Sequence, residues 1–491
     1  MSKSTNVRLS PPIFIIKIIY NLKLTSYKMN ITSEKNRPLK SFEGFLYQLD
    51  RILSNGNESW RCPRKTCKGR IHIENNTINI VTEHNHVVNV GEVEAKETIT
   101  IIKERAANSR DPPRFLIHQA QATITNEGLA EMPKYTSIQR TIERKRKRDG
   151  NNVINPRNVA EIHVPNELRE TLRGDNFLLF DSGEDDVDRF FIFGTERNLD
   201  LLETKTNWFA DGTFKVAPNL FYQLYTIHIL HENTVIPMLY IFLQRKREID
   251  YVNVLNKIKE LRPNIQPSSI MCDFEKGFHN AIRQVFGAET SVVGCLFHLG
   301  QCIYRKVVDV GLRESYVNDE ETRLFCKMLT SLAFIPEADV IAAYEALMDS
   351  MPAENLEPLT DYFEDTWIGR PQRRGRQRRN PSYPISVWSI YDRVIDGLPR
   401  TNNSVEGWHN AFQRTVGFNH PSVYKLIEAI QYEQSNSENL VQQIDTGRLI
   451  TKKNYRYERI DQALKTIVNS YPRREHLDYL RAISYNLTIN V

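Results

Sequence analysis

The hydrophobic rhythm of the chain changes several times. From Phe42 to Val88 apolar and polar residues alternate, as in Arg70-Ile71-His72-Ile73 and Thr77-Ile78-Asn79-Ile80-Val81. A period of two marks half-buried strands, and Asn55-Gly56 and Asn75-Asn76 supply turns between them. This predicts a compact β unit over residues 37–92, with residues 1–36 as an N-terminal tail. From Gly91 to Asp149 the period lengthens. Val93, Ile99, Ile102 and Ala106 fall near one face of a helix, Asp111-Pro112-Pro113 breaks it, and a further helix begins near Ser137. Residues 93–165 are therefore expected to form a helical connector ending in a linker, Gly150 to Pro165.

Between Phe177 and Thr290 strands alternate with helices. The candidate strands are Trp208–Val216, Tyr222–His231, Val235–Leu243 and Ile270–Cys272, with helical patterns at Tyr251–Leu261 and Gly277–Val285. Three consecutive strands, a helix and another strand follow the order of an RNase H-like α/β fold, a mixed sheet with helices packed on it. Helical patterns continue from Gly300, pause in a Pro/Arg-rich stretch near 370–384, and resume from Ser404. The expected architecture is an α/β core over 166–415 with a helical insertion at about 300–400, then a C-terminal helical region, 416–491. No internal repeat is present.

At 491 residues the chain has room for two or three domains. It is 40% hydrophobic and 25% charged, an ordinary globular balance that excludes disordered and fibrous classes. The net charge of +5 is unevenly spread. It gathers in Arg144-Lys145-Arg146-Lys147-Arg148 and in six arginines between Arg370 and Arg379, runs that suit a phosphate backbone or nuclear import, or simply a solvated surface. The apolar stretch from Ile13 to Tyr20 is too short to span a bilayer and is broken by Lys17, so no membrane association is expected. Six cysteines make no disulfide framework in a chain of this length.

Two of those cysteines have another use. Cys62-x4-Cys67 and His84-x-His86 supply two sulfur and two nitrogen ligands inside one small β unit, a complete tetrahedral set for a structural Zn²⁺. A unit of some fifty residues has a marginal core, which a metal would stabilise. With one residue between them, His84 and His86 belong on a loop or strand end. Arg61, Arg64, Lys65, Lys68 and Arg70 crowd the first ligand pair, and Arg61, Lys65 and Lys68 are the candidate DNA contacts. The segment resembles the FLYWCH-type zinc finger through Phe45, Tyr47, Ser59-Trp60-Arg61-Cys62, Cys67-Lys68-Gly69-Arg70 and His84-Asn85-His86; Ser59 stands where the family carries an aromatic. The resemblance implies recognition of DNA or protein.

Asp211 in Ala210-Asp211-Gly212-Thr213-Phe214 and Asp273 in Cys272-Asp273-Phe274-Glu275 each follow an apolar strand. Adjacent strands would let the two carboxylates share Mg²⁺ or Mn²⁺, which prefer oxygen ligands. Asp-Gly is also an everyday turn, and an Asp after a strand often caps the next helix. Together with Gly294-Cys295-Leu296-Phe297-His298 and Asn402-Asn403-Ser404-Val405-Glu406-Gly407-Trp408-His409, however, these motifs resemble the Mutator-like element (MULE) transposases. The resemblance covers about residues 200–415. It implies a catalytic, cation-binding triad of Asp211, Asp273 and Glu406, and a Cys-x2-His element at Cys295 and His298, for which Cys302 and His409 are candidate completing ligands.

Asn402-Asn403-Ser404 offers helix N-caps, so Glu406 is expected in a first helical turn. His409 and Asn410 would share its face, and Ala411-Phe412 would pack inward. Glu275 is the rival third carboxylate and is expected to point elsewhere. The implied activity is divalent-metal-dependent DNA cleavage and strand transfer in the nucleus, with DNA and a second copy of the chain as partners. The alternative is a domesticated transcriptional regulator that keeps the core as a scaffold.

Overall fold

The structure is a computed structural model describing residues 28–32, 38–75, 77–109, 111–148, 156–372, 378–448 and 455–487. The stretch Ile13 to Tyr20, Asn76, linker residues 149–155 and Arg373, Arg374 and Arg376 lie outside the described residues. Two compact units divide the chain, Met1–Ile154 and Asn155–Val491.

The first unit opens with six strands in chain order, all antiparallel: β1 (Lys28–Thr32), β2 (Pro38–Phe42), β3 (Phe45–Ile52), β4 (Glu58–Arg61), β5 (Arg70–Glu74) and β6 (Thr77–Thr82). Glu43 and Gly44, at φ +49° and +76°, make the two-residue turn between β2 and β3. β1 lies in the stretch expected as a tail. Ile31 holds it there, buried with Leu39 and Leu46 against Val93. Four helices follow: α1 (Val90–Asn108), α2 (Pro113–Gln121), α3 (Asn126–Glu131) and α4 (Tyr135–Arg148). Asn89 caps α1 by accepting the Glu92 N–H. Ile102, Leu116, Ile117, Ile138 and Ile142 form a core between three of these helices. Arg146 turns inward beside them and donates to the carbonyls of Ala106, Ser109 and Asp111 at 3.2, 2.9 and 2.6 Å. The basic run of α4 is therefore not wholly a solvated face.

The second unit is built on a seven-stranded sheet in the order β13-β12-β9-β10-β11-β8-β7. β9 (Asn207–Thr213), β10 (Gln223–His231), β11 (Thr234–Leu243) and β12 (Ser269–Cys272) fall where the sequence pattern places them. β7 (Leu178–Asp181), β8 (Phe191–Phe193) and β13 (Ser291–Gly294) extend the two edges. β9, β12 and β13 are parallel, and the remaining pairings are antiparallel. Side chains alternate along β9. Trp208 and Ala210 enter a core built with α5 (Glu196–Thr204), α6 (Glu248–Leu261) and α7 (Lys276–Phe286).

A second core gathers α8 (Leu296–Asp309) and the helices up to Ile395 around Leu299, Phe325, Leu329, Trp367 and Trp388. These helices span residues where the sequence pattern places a helical insertion. α9 (Asn403–Val416) then returns to the sheet, where Val405 packs with Phe209, Met271 and Val293. Described helices beyond residue 416 add to both cores. α10 (Val423–Asp445) adds Val441 to the sheet core and a reciprocal amide pair between Gln434 and Asn198, at 2.8 and 3.1 Å. α11 (Tyr455–Asn469) and α12 (His476–Ser484) bring Leu464, Val468, Leu480 and Ile483 to the second core. Among the described residues no helix is long and apolar enough to cross a membrane.

Candidate zinc and catalytic sites

In the first unit Cys62 follows β4, Cys67 ends a short turn, and His84 and His86 lie on the loop after β6. One ligand atom from each lies within 4.8 Å of all the others. Cys62 Sγ is 3.4 Å from His86 Nε2, Cys67 Sγ is 3.3 Å from His84 Nδ1, and the two nitrogens are 3.2 Å apart. Zinc bonds to sulfur and nitrogen of about 2.3 and 2.0–2.1 Å set nitrogen–nitrogen and sulfur–nitrogen edges of roughly 3.3–3.6 Å and a sulfur–sulfur edge of about 3.8 Å. The quartet therefore fits one Zn²⁺.

Its surroundings favour ligation. The N–H groups of Arg64 and Gly69 donate to Cys62 and Cys67 at 3.4 and 3.3 Å. Burial opposes ionisation of Cys67, but the N–H groups of Asn85 and Gly69 bring it below an ordinary thiol. His86 Nδ1 donates to the Val87 carbonyl at 3.0 Å, which leaves Nε2 free as a ligand. Phe45 stacks on His84 at 3.9 Å and 3°, and Tyr47 meets its edge at 5.1 Å. Of the three candidate DNA contacts, Arg61 is paired with Asp50 at 3.3 Å. Lys65 and Lys68 are exposed, and no ion pair holds either among the described residues.

In the second unit Met271 pairs with Phe209 across the parallel strands β12 and β9, and Asp273 and Asp211 each follow two residues later. The alternation of strand side chains sets both carboxylates on the face that Val405 covers. Glu406, the next residue, sits in the first turn of α9. The start of α9 is tethered from two sides. The Asn402 N–H donates to Cys295 Sγ at 3.1 Å, and its side-chain amide reaches the Ala210 carbonyl at 3.5 Å. Asn402 occupies the N-cap position, but its side chain makes no cap bond: the amide nitrogen is turned to Ala210 and Oδ1 is buried without a partner among the described residues.

Two imidazoles stand among the carboxylates. His298, one turn beyond Cys295, lies 3.2 Å from Glu406 Oε1 through Nε2 and 3.5 Å from Asp273 Oδ1 through Nδ1. Burial disfavours its charge, but the Cys295 sulfur, Glu406 and Asp273 outweigh this and push it up to about 11. His409 places Nδ1 3.5 Å from Asp211 Oδ2, with Nε2 3.2 Å from the Thr226 hydroxyl. Phe412 is buried as expected, whereas Ala411 and Asn410 are exposed. Glu275 accepts the Tyr251 hydroxyl at 3.1 Å, and burial, with Asp273 and Asp211 nearby, holds its carboxyl above the ordinary value.

Glu406 thus approaches Asp273 through the His298 imidazole, while Asp211 meets the separate imidazole of His409. Among the described residues only the finger quartet closes on a single point as a metal cluster. Three carboxylates repel one another, and the histidines stand between them. The site nonetheless fits a hard cation. Its donors are carboxylate oxygens, and buried Glu406 Oε1 has no aligned hydrogen bond among the described residues.

A model of the MULE transposase domain matches residues 207–301, from β9 into α8. A model of the FLYWCH zinc finger domain matches residues 30–86, which include all four zinc ligands. The chain carries a MULE transposase domain and a FLYWCH zinc finger. Together they point to a transposon-derived DNA-binding protein. The MULE match takes in Asp211, Asp273, Cys295 and His298 and stops short of Glu406 and His409. No curated protein matches the chain. It is similar to a solved structure described as "Drosophila P element transposase strand transfer complex", with 11% identity over 69% of this chain and 91% of that one. The TM-score of 0.28 defines no shared fold.

Sequence reasoning named Cys295, His298 and His409 without finding their places. The signal available was local: His298 follows Cys295 by one helical turn, and His409 follows Glu406 by one.

Proposed function

We propose that the chain is a transposon-derived protein that binds DNA through its zinc finger and cleaves and transfers strands in an RNase H-like second unit, acting in the nucleus. What supports this reading is that Asp211 and Asp273 each lie two residues beyond paired positions of neighbouring strands, and that Glu406 reaches Asp273 through His298. The order of strands and helices supports the RNase H-like assignment: three antiparallel strands, a helix, then a parallel strand beside the first.

In this reading Asp211, Asp273 and Glu406 hold Mg²⁺ or Mn²⁺. Such cations would activate an attacking water or 3′-hydroxyl and stabilise the leaving oxygen at a phosphodiester. The chain's own groups set the geometry. Cys295 and Asn402 fix the start of α9, so Glu406 stays over the strand ends. His298 orients Glu406 and Asp273, and His409 orients Asp211. In the finger, Cys62, Cys67, His84 and His86 hold Zn²⁺, and Lys65 and Lys68, with Arg61, present a cationic face to DNA.

The test is incubation of the full chain with Mg²⁺ or Mn²⁺ and DNA bearing candidate element ends. Strand cleavage dependent on the added cation is expected. Sequence-specific binding without cleavage under any cation would instead favour the domesticated regulator.

A further inference from the structure

We infer that a cleft beside Asp273 binds the phosphodiester backbone of the DNA strand that enters the catalytic carboxylates. This rests on the DNA-processing reading and gives it a specific contact. The cleft is a cavity of about 290 Å³ between α7 and the loop over 380–384. Both walls hang on the turn that carries Asp273. On α7, His279 bonds the Asp273 carbonyl through Nε2 at 2.8 Å. On the loop, Tyr383 donates its hydroxyl to the Phe274 carbonyl at 2.6 Å. Tyr383 is also stacked on buried Trp367, with ring centroids 5.1 Å apart. The cleft is therefore fixed in place against the turn that carries Asp273.

Its lining is that of an anion receptor. Lys276 and Arg283 lie at helical spacing along one exposed stripe of α7 and line the cavity, with Asn280 between them donating its amide to Glu248 at 2.7 Å. No ion pair engages Lys276 or Arg283 among the described residues, and the Lys276 ammonium only approaches the Tyr383 ring at 5.6 Å. The single carboxylate in the lining, Asp365, is paired with Arg370, which donates to it at 2.9 Å and also lies 3.4 Å from Asp361. Two uncompensated cations remain, at the end of α7 where the helix dipole is positive and further along it. From Lys276 to Arg283 the helix rises about 10 Å, a length over which one strand of duplex DNA carries about three phosphates. Spaced cations without a base-reading set of donors fit the backbone of any sequence.

The test uses the full chain with Lys276→Gln and Arg283→Gln combined, and a fluorescently labelled duplex end titrated across a range of salt without added divalent cation. Each lost phosphate contact lowers the slope of log affinity against log salt by about 0.9, so a drop of about 1.8 is expected. Arg473→Gln with Arg474→Gln removes two exposed charges elsewhere in the same unit and is expected to leave the slope unchanged. A wild-type slope in the first pair, or an equal drop in the second, overturns the inference. The readout needs no cleavage, so an inactive wild-type chain counts against the proposed reaction and not against the cleft.

Discussion

Gly69→Ala tests whether the finger is built around one metal ion. A Cβ at position 69 would stand 2.7 Å from both Cε1 and Nδ1 of His84, where ordinary contact begins at 3.4 Å. The imidazole has to retreat by the difference, about 0.7 Å. It has little room, because Phe45 is stacked on its face at 3.9 Å and Tyr47 meets its edge. Zinc sites tolerate ligand displacements of only about 0.2 Å. His84 Nδ1 therefore leaves its place beside Cys67 Sγ, and zinc affinity is expected to fall roughly 10–100-fold, or about 1.4–2.7 kcal/mol. Competition between the full chain and a chromogenic zinc chelator reads this directly. Gly56→Ala is the contrast: Gly56 is at φ +84° with nothing within 4 Å of its Cβ position, so the change strains the turn and spares the ligands. Wild-type zinc affinity in Gly69→Ala would refute the packing of the site described above.

Two further outcomes follow from how charges are held in the first unit. Lys65→Gln with Lys68→Gln should lower the salt dependence of DNA binding by about 0.9 per contact, whereas Arg61→Gln should lower it less because Asp50 already holds Arg61; equal effects in a salt titration would contradict this. Arg146→Met removes the donor to three carbonyls and should destabilise the first unit by about 2–4 kcal/mol, read from hydrogen exchange of the α1 and α4 amides, while the exposed Arg144→Gln changes stability by less than about 0.5 kcal/mol.

The zinc ligands were legible in the sequence because all four lie on neighbouring turns, and local spacing alone defines a tetrahedral set. β9 to β12 were legible because they are long or densely apolar: all but one residue of Gln223–His231 is buried. β7, β8 and β13 are three or four residues long and gain their order from pairing at the sheet edges, which leaves no periodic trace. β1 was hidden for a related reason, since its place depends on Ile31 meeting Leu39 and Leu46. The role of Arg146 was readable but overlooked. It continues the inward stripe of Ile138 and Ile142 at four-residue steps, so the helical period sets it apart from its basic neighbours. The roles of Asn402 and His298 were not readable. Their partners, Ala210, Cys295, Asp273 and Glu406, come together only when α9 crosses back over the sheet.

Glu406→Gln tests the central claim most directly, because it keeps the side chain's shape and removes only its charge. Strand cleavage by the full chain would be measured at saturating enzyme with Mg²⁺ or Mn²⁺ on DNA bearing element ends, alongside zinc content, melting and DNA affinity. The account predicts cleavage by the wild-type chain and none by the variant, with the other three measurements near wild type. Cleavage by Glu406→Gln at the wild-type rate would contradict it.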